Sequence, residues 1–145
     1  MHDNTVYNDN PVYVVDDDTD DHDFVRDSWK ELNYANPLFF FSNGKELLTY
    51  MKINQITPFL ILCDVNIYPM DGFELKKRLL EDESLNNKSI PFIFWSTSAS
   101  NEQVKKAFNL AAHGFFVKGN TMTEIKESLS HIVNYWQKSK QPEMQ

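Results

Sequence analysis

The segment LILCDVNIYPMDGFELKKRL (residues 60–79) joins an apolar run to an amphipathic one through a single acidic residue. Its first four residues are typical of a buried strand, and Asp64 follows them directly. A turn that contains Pro69 and Gly72 comes next, and apolar residues then recur at helical spacing. The segment is therefore predicted to form a strand, a loop and a helix, with one carboxylate at the end of the strand.

Four further runs share the short, apolar character of this strand, and none of them alternates cleanly with polar residues. With the first, the five runs are VYVV (12–15), LFFF (38–41), FLILC (59–63), FIFW (92–95) and FFV (115–117). Such runs are typical of strands that are covered on both faces. Amphipathic segments lie between them, and this strict alternation predicts an α/β fold: a single doubly wound, five-stranded parallel sheet with helices on both faces.

Helix start signals agree with this alternation. N-cap residues with a partner three positions later are Asp71 with Glu74, Ser100 with Gln103, and Thr121 with Glu124. The apolar side of the first helix is assigned to Phe24, Val25, Trp29 and Leu32. His22 matches no metal-binding spacing and is expected at the solvated surface.

Composition limits the function. The 145 residues are enough for one domain, which we place at 11–138, with flexible polar tails at 1–10 and 139–145. A net charge of −7 argues against nucleic-acid binding through a basic face. The single cysteine, Cys63, is expected to be a buried thiol. Without a signal peptide or a membrane-spanning stretch, the protein is expected to be cytoplasmic and not bound to a membrane.

Acidic residues follow two of the predicted strands. Asp16 and Asp17 come after the first strand, and Asp64 comes after the third. The carboxyl ends of parallel strands share one edge of the sheet, so these three carboxylates are expected to converge there. They repel one another unless a cation shares the site, and oxygen ligands without histidine or cysteine favour Mg²⁺.

The fourth and fifth strands bring a hydroxyl and an amine to the same edge. Ser96 follows the fourth strand and Lys118 follows the fifth. Each residue alone has an ordinary explanation: Ser96 as a satisfied hydroxyl, Lys118 as a surface lysine, and Asp18 or Asp20 as a helix cap. Taken together, carboxylates, a metal, a hydroxyl and an ammonium indicate a site that handles phosphoryl groups.

These residues make the chain similar to a known family. The acid pair after strand one, the acid after strand three, the hydroxyl after strand four, the lysine after strand five and the segment MDGFEL (70–75) resemble the response-regulator receiver domain of two-component signalling. The likeness covers about residues 11–137. It implies a flavodoxin-like sheet with the strand order 2-1-3-4-5.

The resemblance also implies a role for each matching residue. Asp64 would be the phosphoacceptor, and Asp16 and Asp17 would hold Mg²⁺ together with Asp64 and the backbone carbonyl of Asn66.

Ser96 would be the switch hydroxyl, Lys118 the cation that contacts the phosphoryl group, and Phe115 the switch aromatic. The implied function is that of a stand-alone receiver. It would take a phosphoryl group from a sensor histidine kinase or a histidine phosphotransfer protein and catalyse its own transfer and dephosphorylation. It would then signal to an unknown downstream protein through a changed binding surface, or pass the phosphoryl group onward; a homodimer is left open.

Three positions depart from the family pattern. Gly119 stands after Lys118 where the family usually has proline, so the peptide bond between them is either trans or strained. Pro69 is one position later than usual, and Thr97 is bulkier than the small residue that usually follows the switch hydroxyl.

Two alternatives remain at this stage. A phosphatase of the haloacid-dehalogenase type would use Asp16 and Asp18 of an Asp-x-Asp motif, although Asp20 stands where that motif needs threonine or valine. The other alternative is a receiver-like binding module that takes no phosphoryl group.

Overall fold

Five short strands form one parallel sheet in the computed structural model, which describes residues 9–87 and 89–140. The strands are β1 (Val12–Val15), β2 (Leu38–Phe41), β3 (Leu60–Cys63), β4 (Phe92–Ser96) and β5 (Gly114–Val117). Their order is β2-β1-β3-β4-β5, which confirms the predicted order. The predicted tails fall mainly outside the described residues, which exclude 1–8 and 141–145.

Helices fill every connection between the strands. They are α1 (Thr19–Leu32), α2 (Gly44–Ile53), α3 (Gly72–Glu81) and α4 (Asn101–Asn109), and a fifth helix, α5 (Met122–Lys138), follows β5. The three predicted N-caps are confirmed, because Asp71, Ser100 and Thr121 each accept a hydrogen bond from the backbone three residues on. Asp18 caps α1 by accepting from the N–H of Asp20.

The three central strands, β1, β3 and β4, are buried on both faces, as their apolar runs predict, whereas the edge strands β2 and β5 are mostly half-buried. Successive residues of β1 point to opposite sides, so Tyr13 and Val15 belong to one core and Val12 and Val14 to the other. The first core packs under α2, α3 and α4, through residues such as Leu47, Leu75 and Ala107. The second packs under α1 and α5, through residues such as Val25, Trp29, Ile125 and Leu129.

The strand register aligns the carboxyl ends of the strands. Val15 of β1 lies opposite both Phe41 of β2 and Cys63 of β3. The backbone pairing continues one residue further, since the N–H of Asp64 donates to the carbonyl of Val15 at 2.9 Å and that of Asp16 to Phe41 at 3.0 Å. The residues that follow β1 and β3 are therefore held rigidly at one edge.

The assignment of the buried side of α1 was partly wrong. Phe24 is 38% exposed, whereas His22 is only 7% exposed. The buried residues of α1 are His22, Val25, Ser28 and Trp29, which recur three or four positions apart. Phe24 immediately precedes Val25 and is rotated away from this side by about 100°. Among the described residues, no helix combines the length and the apolar character needed to cross a membrane.

Candidate functional site

A buried lysine occupies the centre of the carboxyl edge of the sheet. Lys118 is 1% exposed, and its Nζ donates to carboxylate oxygens of Asp16 at 2.9 Å, Asp21 at 2.7 Å and Asp64 at 2.9 Å. A charge this deeply buried is stable only when it is paired and hydrogen-bonded. We refer to Lys118 and these three acids as the lysine cluster.

Four different elements of the fold supply the lysine cluster. Asp16 directly follows β1, Asp64 directly follows β3 and Lys118 directly follows β5. Asp21 instead comes from the first turn of α1. The backbone N–H of Lys118 donates to the carbonyl of Ser96 at 2.7 Å, which ties the start of the β5–α5 loop to the end of β4.

Two carboxylates of the cluster also fix their own loops. Oδ1 of Asp16 accepts from the N–H of Asp18 at 2.9 Å, and Oδ1 of Asp64 accepts from the N–H of Asn66 at 3.1 Å. Each carboxylate uses its Oδ2 atom for Lys118. Both side chains are therefore held in one orientation by hydrogen bonds at both oxygens.

His22 contacts the backbone of the lysine cluster at Asp16. Its Nε2 donates to the backbone carbonyl of Asp16 at 2.6 Å, and its ring lies 4.7 Å from the ring of Phe40. The expectation that His22 is solvated was wrong. The spacing alone contains the signal, because His22 lies three positions before Val25 on the buried side of α1.

Burial and charge shift the pKa values in the cluster. Burial raises the pKa of Asp16 to about 7, and Lys118 only partly offsets this effect. Burial acts to lower the pKa of the Lys118 ammonium, but its carboxylate partners outweigh burial and raise it. Three carboxylates share one ammonium, so the cluster retains excess negative charge and favours a further cation or proton.

Ser96 lies at the same edge but has different surroundings. It is fully buried, and its Oγ has no hydrogen-bond partner within the described residues. Thr97, the next residue, is exposed. Phe115 is half-buried on β5, with its ring 6.0 Å from that of Phe94.

Two glycines are needed where loops approach the cluster. A Cβ on Gly72 would lie 2.5 Å from the carbonyl oxygen of Asp64, so only glycine lets α3 begin this close to the acid. Gly119 has a φ of +88°, and a Cβ there would lie 2.6 Å from Cβ of Glu124. Proline cannot adopt a positive φ, which explains why glycine follows Lys118 in this chain. The peptide bond between Lys118 and Gly119 is trans.

The acids suit a divalent cation. Asp16, Asp21 and Asp64 each offer one carboxylate oxygen, and these atoms lie within 4.8 Å of one another. Hard oxygen donors of this kind fit Mg²⁺. Asp17, a predicted ligand, is exposed beside this group rather than within it, and Asn66 is exposed as well. The assignment of Asp16, Asp17, Asp64 and Asn66 as ligands stays a prediction.

Sequence reasoning missed Asp21. It lies four positions before Val25 and so projects from the side of α1 that faces the sheet. The acidic run from Asp16 to Asp23 hides this signal, because its members look alike until the helix start is known.

Solved structures share the fold. The phosphorylated cyanobacterial phytochrome response regulator RcpA has a TM-score of 0.82 and 21% identity, over 92% of this chain and 98% of that one. The Mn²⁺-bound response regulator Rcp1 has a TM-score of 0.77 and 20% identity, over 91% and 98% of the two chains.

Curated relatives are regulators. The probable methanogenesis regulatory protein FilR2 of Methanothrix harundinacea is 20% identical over 86% of this chain and 82% of its own length. The transcriptional regulatory protein CrdR of Helicobacter pylori is 28% identical over 85% of this chain, which spans only 54% of CrdR.

The family model described as the response regulator receiver domain matches residues 12–130, most of the chain. Its span contains all five strands and each member of the lysine cluster. The chain therefore belongs to the response regulator receiver domain family.

Proposed function

We propose that this receiver accepts a phosphoryl group on Asp64 from a histidine kinase or a histidine phosphotransfer protein, with Mg²⁺ as cofactor. The observation that carries the proposal is the ion pair of 2.9 Å between Asp64 and the buried Lys118. Asp64 is also accessible from solvent, because its side chain is 12% exposed, whereas that of Asp16, the other strand-end acid, is 1% exposed. Asp64 is thus the strand-end acid of the cluster that a donor can approach.

The transfer itself needs positioning and charge neutralisation. An oxygen of Asp64 forms a bond to phosphorus while the bond from phosphorus to the histidine nitrogen of the donor breaks. Lys118 donates to the oxygens that gain charge, and the loop bond from Asn66 keeps the carboxylate oriented. Asp16, Asp17, Asp64 and the carbonyl of Asn66 would hold Mg²⁺, which would supply further positive charge to neutralise the transferred group.

Ser96 is suited to read the phosphorylated state. Its unpartnered Oγ offers a donor that a phosphoryl oxygen would satisfy, so the phosphorylated state gains a bond that the resting state lacks. Hydrogen bonds to charged groups contribute about 1.5–3 kcal/mol each. A switch from 1:99 to 99:1 needs about 5.5 kcal/mol, which bonds from Ser96 and Lys118 would largely supply.

Phe115 would follow this change. It is half-buried on β5, and we propose that it turns inward when Ser96 binds the phosphoryl group. The surface of α4, β5 and α5 would then change for an unidentified downstream protein. The net charge of −7 supports a protein partner over nucleic acid, and we propose that the protein acts in the cytoplasm.

The phosphatase alternative loses one of its acids. Asp18, the second acid of the Asp-x-Asp pattern, accepts from the N–H of Asp20 at 2.9 Å and caps α1. It is therefore engaged in holding the helix start, which leaves the receiver function as the better supported one.

The test is phosphoryl uptake from acetyl phosphate, followed by intact-mass spectrometry. Wild-type protein should gain one phosphoryl group with Mg²⁺ and none with a chelator, because the charge at the site is then not neutralised. Asp64→Asn should gain none, whereas Asp23→Asn, which alters an exposed acid of α1, should behave like the wild type. Phosphate on Asp64→Asn would refute the acceptor assignment.

A further inference from the structure

Asp21 differs from the other acids of the lysine cluster because it lies on a helix rather than at the end of a strand. Its carboxylate is 16% exposed and forms the shortest of the three ion pairs, at 2.7 Å from Nζ of Lys118. The transfer described above uses Asp64 and Lys118 directly but assigns nothing to Asp21.

The ammonium of Lys118 is fully used by its three partners. A lysine ammonium has three N–H donors, and here one carboxylate accepts from each of them. On a further side, the face of the Trp95 ring lies 4.9 Å from Nζ. Since the side chain is 1% exposed, its position is set by these contacts rather than by solvent.

Phosphorylation changes one of the three bonds. The N–H that donates to Asp64 in the resting state has to turn to a phosphoryl oxygen when that acid is modified. Asp16 and Asp21 then remain as the partners that hold the nitrogen. A single remaining partner would let the long side chain pivot about one bond, whereas two fix both the position of Nζ and the direction of its third N–H.

We propose that Asp21 is a positioning residue for Lys118: it holds the ammonium from α1 so that the third N–H points at the phosphoryl group on Asp64. This inference rests on the proposed function. Asp21 acts through Lys118 and contacts neither the donor nor the transferred group. It also connects the first turn of α1 to the loop after β5, two parts of the chain that the sheet alone does not join.

Asp20 provides the matched control. It lies in the same first turn of α1, is exposed and is not a partner of Lys118. Asp20→Asn therefore removes the same charge from the same helix end, with the same effect on the helix dipole, and leaves the lysine cluster intact. Any difference between Asp20→Asn and Asp21→Asn reports the contact to Lys118.

The first measurement is the rate of phosphoryl uptake from acetyl phosphate at saturating Mg²⁺. Because small misplacements are costly in transfer reactions, uptake by Asp21→Ala should be about tenfold slower than by Asp20→Asn. Asp21→Asn should lie between the two, because its amide oxygen still accepts a hydrogen bond. Because Asp21 also offers a carboxylate oxygen to a cation, the Mg²⁺ affinity of Asp20→Asn and Asp21→Asn is measured separately, and the uptake rates are compared with each variant at saturating Mg²⁺. Equal uptake rates in Asp20→Asn, Asp21→Asn and Asp21→Ala would overturn the proposal.

The second measurement needs neither metal nor phosphate. In ¹H–¹⁵N spectra of the metal-free protein, the buried ammonium of Lys118 should exchange its protons slowly; its signal is identified by its loss in Lys118→Met. Exchange should be clearly faster in Asp21→Asn and Asp21→Ala but unchanged in Asp20→Asn. Unchanged exchange in both Asp21 variants would overturn the proposal.

The two measurements separate the two levels of inference. Wild-type protein that takes up no phosphoryl group contradicts the proposed function, and ammonium exchange then decides alone whether Asp21 holds Lys118. Wild-type uptake with an equal rate in Asp21→Asn contradicts only the positioning role. If Asp21→Ala does not fold, Asp21→Asn provides both readouts.

Discussion

Lys118 and Ser96 lie at the same edge of the sheet, are equally buried and differ completely in their bonding. Lys118 donates to three carboxylates, whereas Ser96 Oγ has no partner among the described residues. Their backbones are nevertheless joined by a hydrogen bond of 2.7 Å. The difference is therefore not one of location: the Lys118 side chain is fully hydrogen-bonded in this structure, whereas the Ser96 hydroxyl has no partner among the described residues.

This contrast separates two ways of using buried polarity. A buried ion pair holds several elements in one arrangement, and removing one partner leaves uncompensated charge. A buried group without a partner costs about 1–3 kcal/mol until something bonds to it. The lysine cluster should thus contribute more than Ser96 to the stability of the resting protein, whereas Ser96 should act mainly in the response to phosphorylation, which it shares with Lys118.

The largest expected effect on stability comes from removing the ammonium of Lys118, which is fully hydrogen-bonded. Lys118→Met leaves three buried or half-buried carboxylates without their cation, so the free energy of unfolding should fall by about 3 kcal/mol at neutral pH. Urea denaturation of the metal-free protein measures this loss.

Lys126→Met is the control for that loss. Lys126 pairs with Glu31 at 3.2 Å on the surface, where an ion pair contributes at most about 1 kcal/mol. If both substitutions cost the same, the cluster does not stabilise the fold and the contrast between Lys118 and Ser96 fails.

A smaller effect is expected from pH. Burial raises the pKa of Asp16 from 3.8 to about 7, so the folded protein keeps a proton that the unfolded chain has released between these values. Stability should therefore rise as pH falls through 7 and level off near the unfolded pKa. From pH 7 to pH 5.5 the gain from this group is between about 1 and 2 kcal/mol, because the group is already half protonated at pH 7 and the full slope of roughly 1.4 kcal/mol per pH unit applies only below that pH.

The pH effect can be isolated with Asp16→Asn. Denaturation of the metal-free protein at both pH values should show a smaller gain in Asp16→Asn than in wild type. Lys118 does not contribute to the difference, because its pKa is raised from 10.5 and it stays charged throughout this range. An equal gain in both proteins would mean that another group titrates.

The sequence predicts which residues meet at this edge of the sheet when they directly follow a strand. Parallel strands align their carboxyl ends, so Asp16, Asp64 and Lys118 could be brought together from position alone. The bonding state of Ser96 could not be predicted, because it depends on which neighbours reach a single oxygen atom. The roles of these residues in transfer remain predictions.

Helix α1 shows where sequence reasoning fails. Asp21 and His22 reach the site only because the helix begins at Thr19 and turns that side toward the sheet. When the buried side of α1 is assigned one position too far along the helix, Phe24 is placed in the core and His22 at the surface. Asp21 is then not distinguished from the other acids of the run in which it lies. The cap at Asp18 fixes this phase, and its role could not be separated from that of its neighbours by spacing alone.

The smallest expected change in stability is that of Ser96→Ala, and the comparison with Ser128→Ala tests the state of the Ser96 hydroxyl most directly. Ser96→Ala removes a hydroxyl without a partner and should raise the free energy of unfolding of the metal-free protein by about 1 kcal/mol. Ser128→Ala should lower it by a similar amount, because the hydroxyl of Ser128 accepts from Nε1 of Trp95 at 3.2 Å and the buried indole N–H would lose its partner.

Binding of beryllofluoride, which imitates the phosphoryl group, should weaken about tenfold in Ser96→Ala, which corresponds to one lost hydrogen bond of about 1.4 kcal/mol. Ser128→Ala should bind it as the wild type does. If Ser96→Ala destabilises the resting protein or leaves beryllofluoride binding unchanged, the hydroxyl already has a use in the resting state and is not reserved for the phosphoryl group.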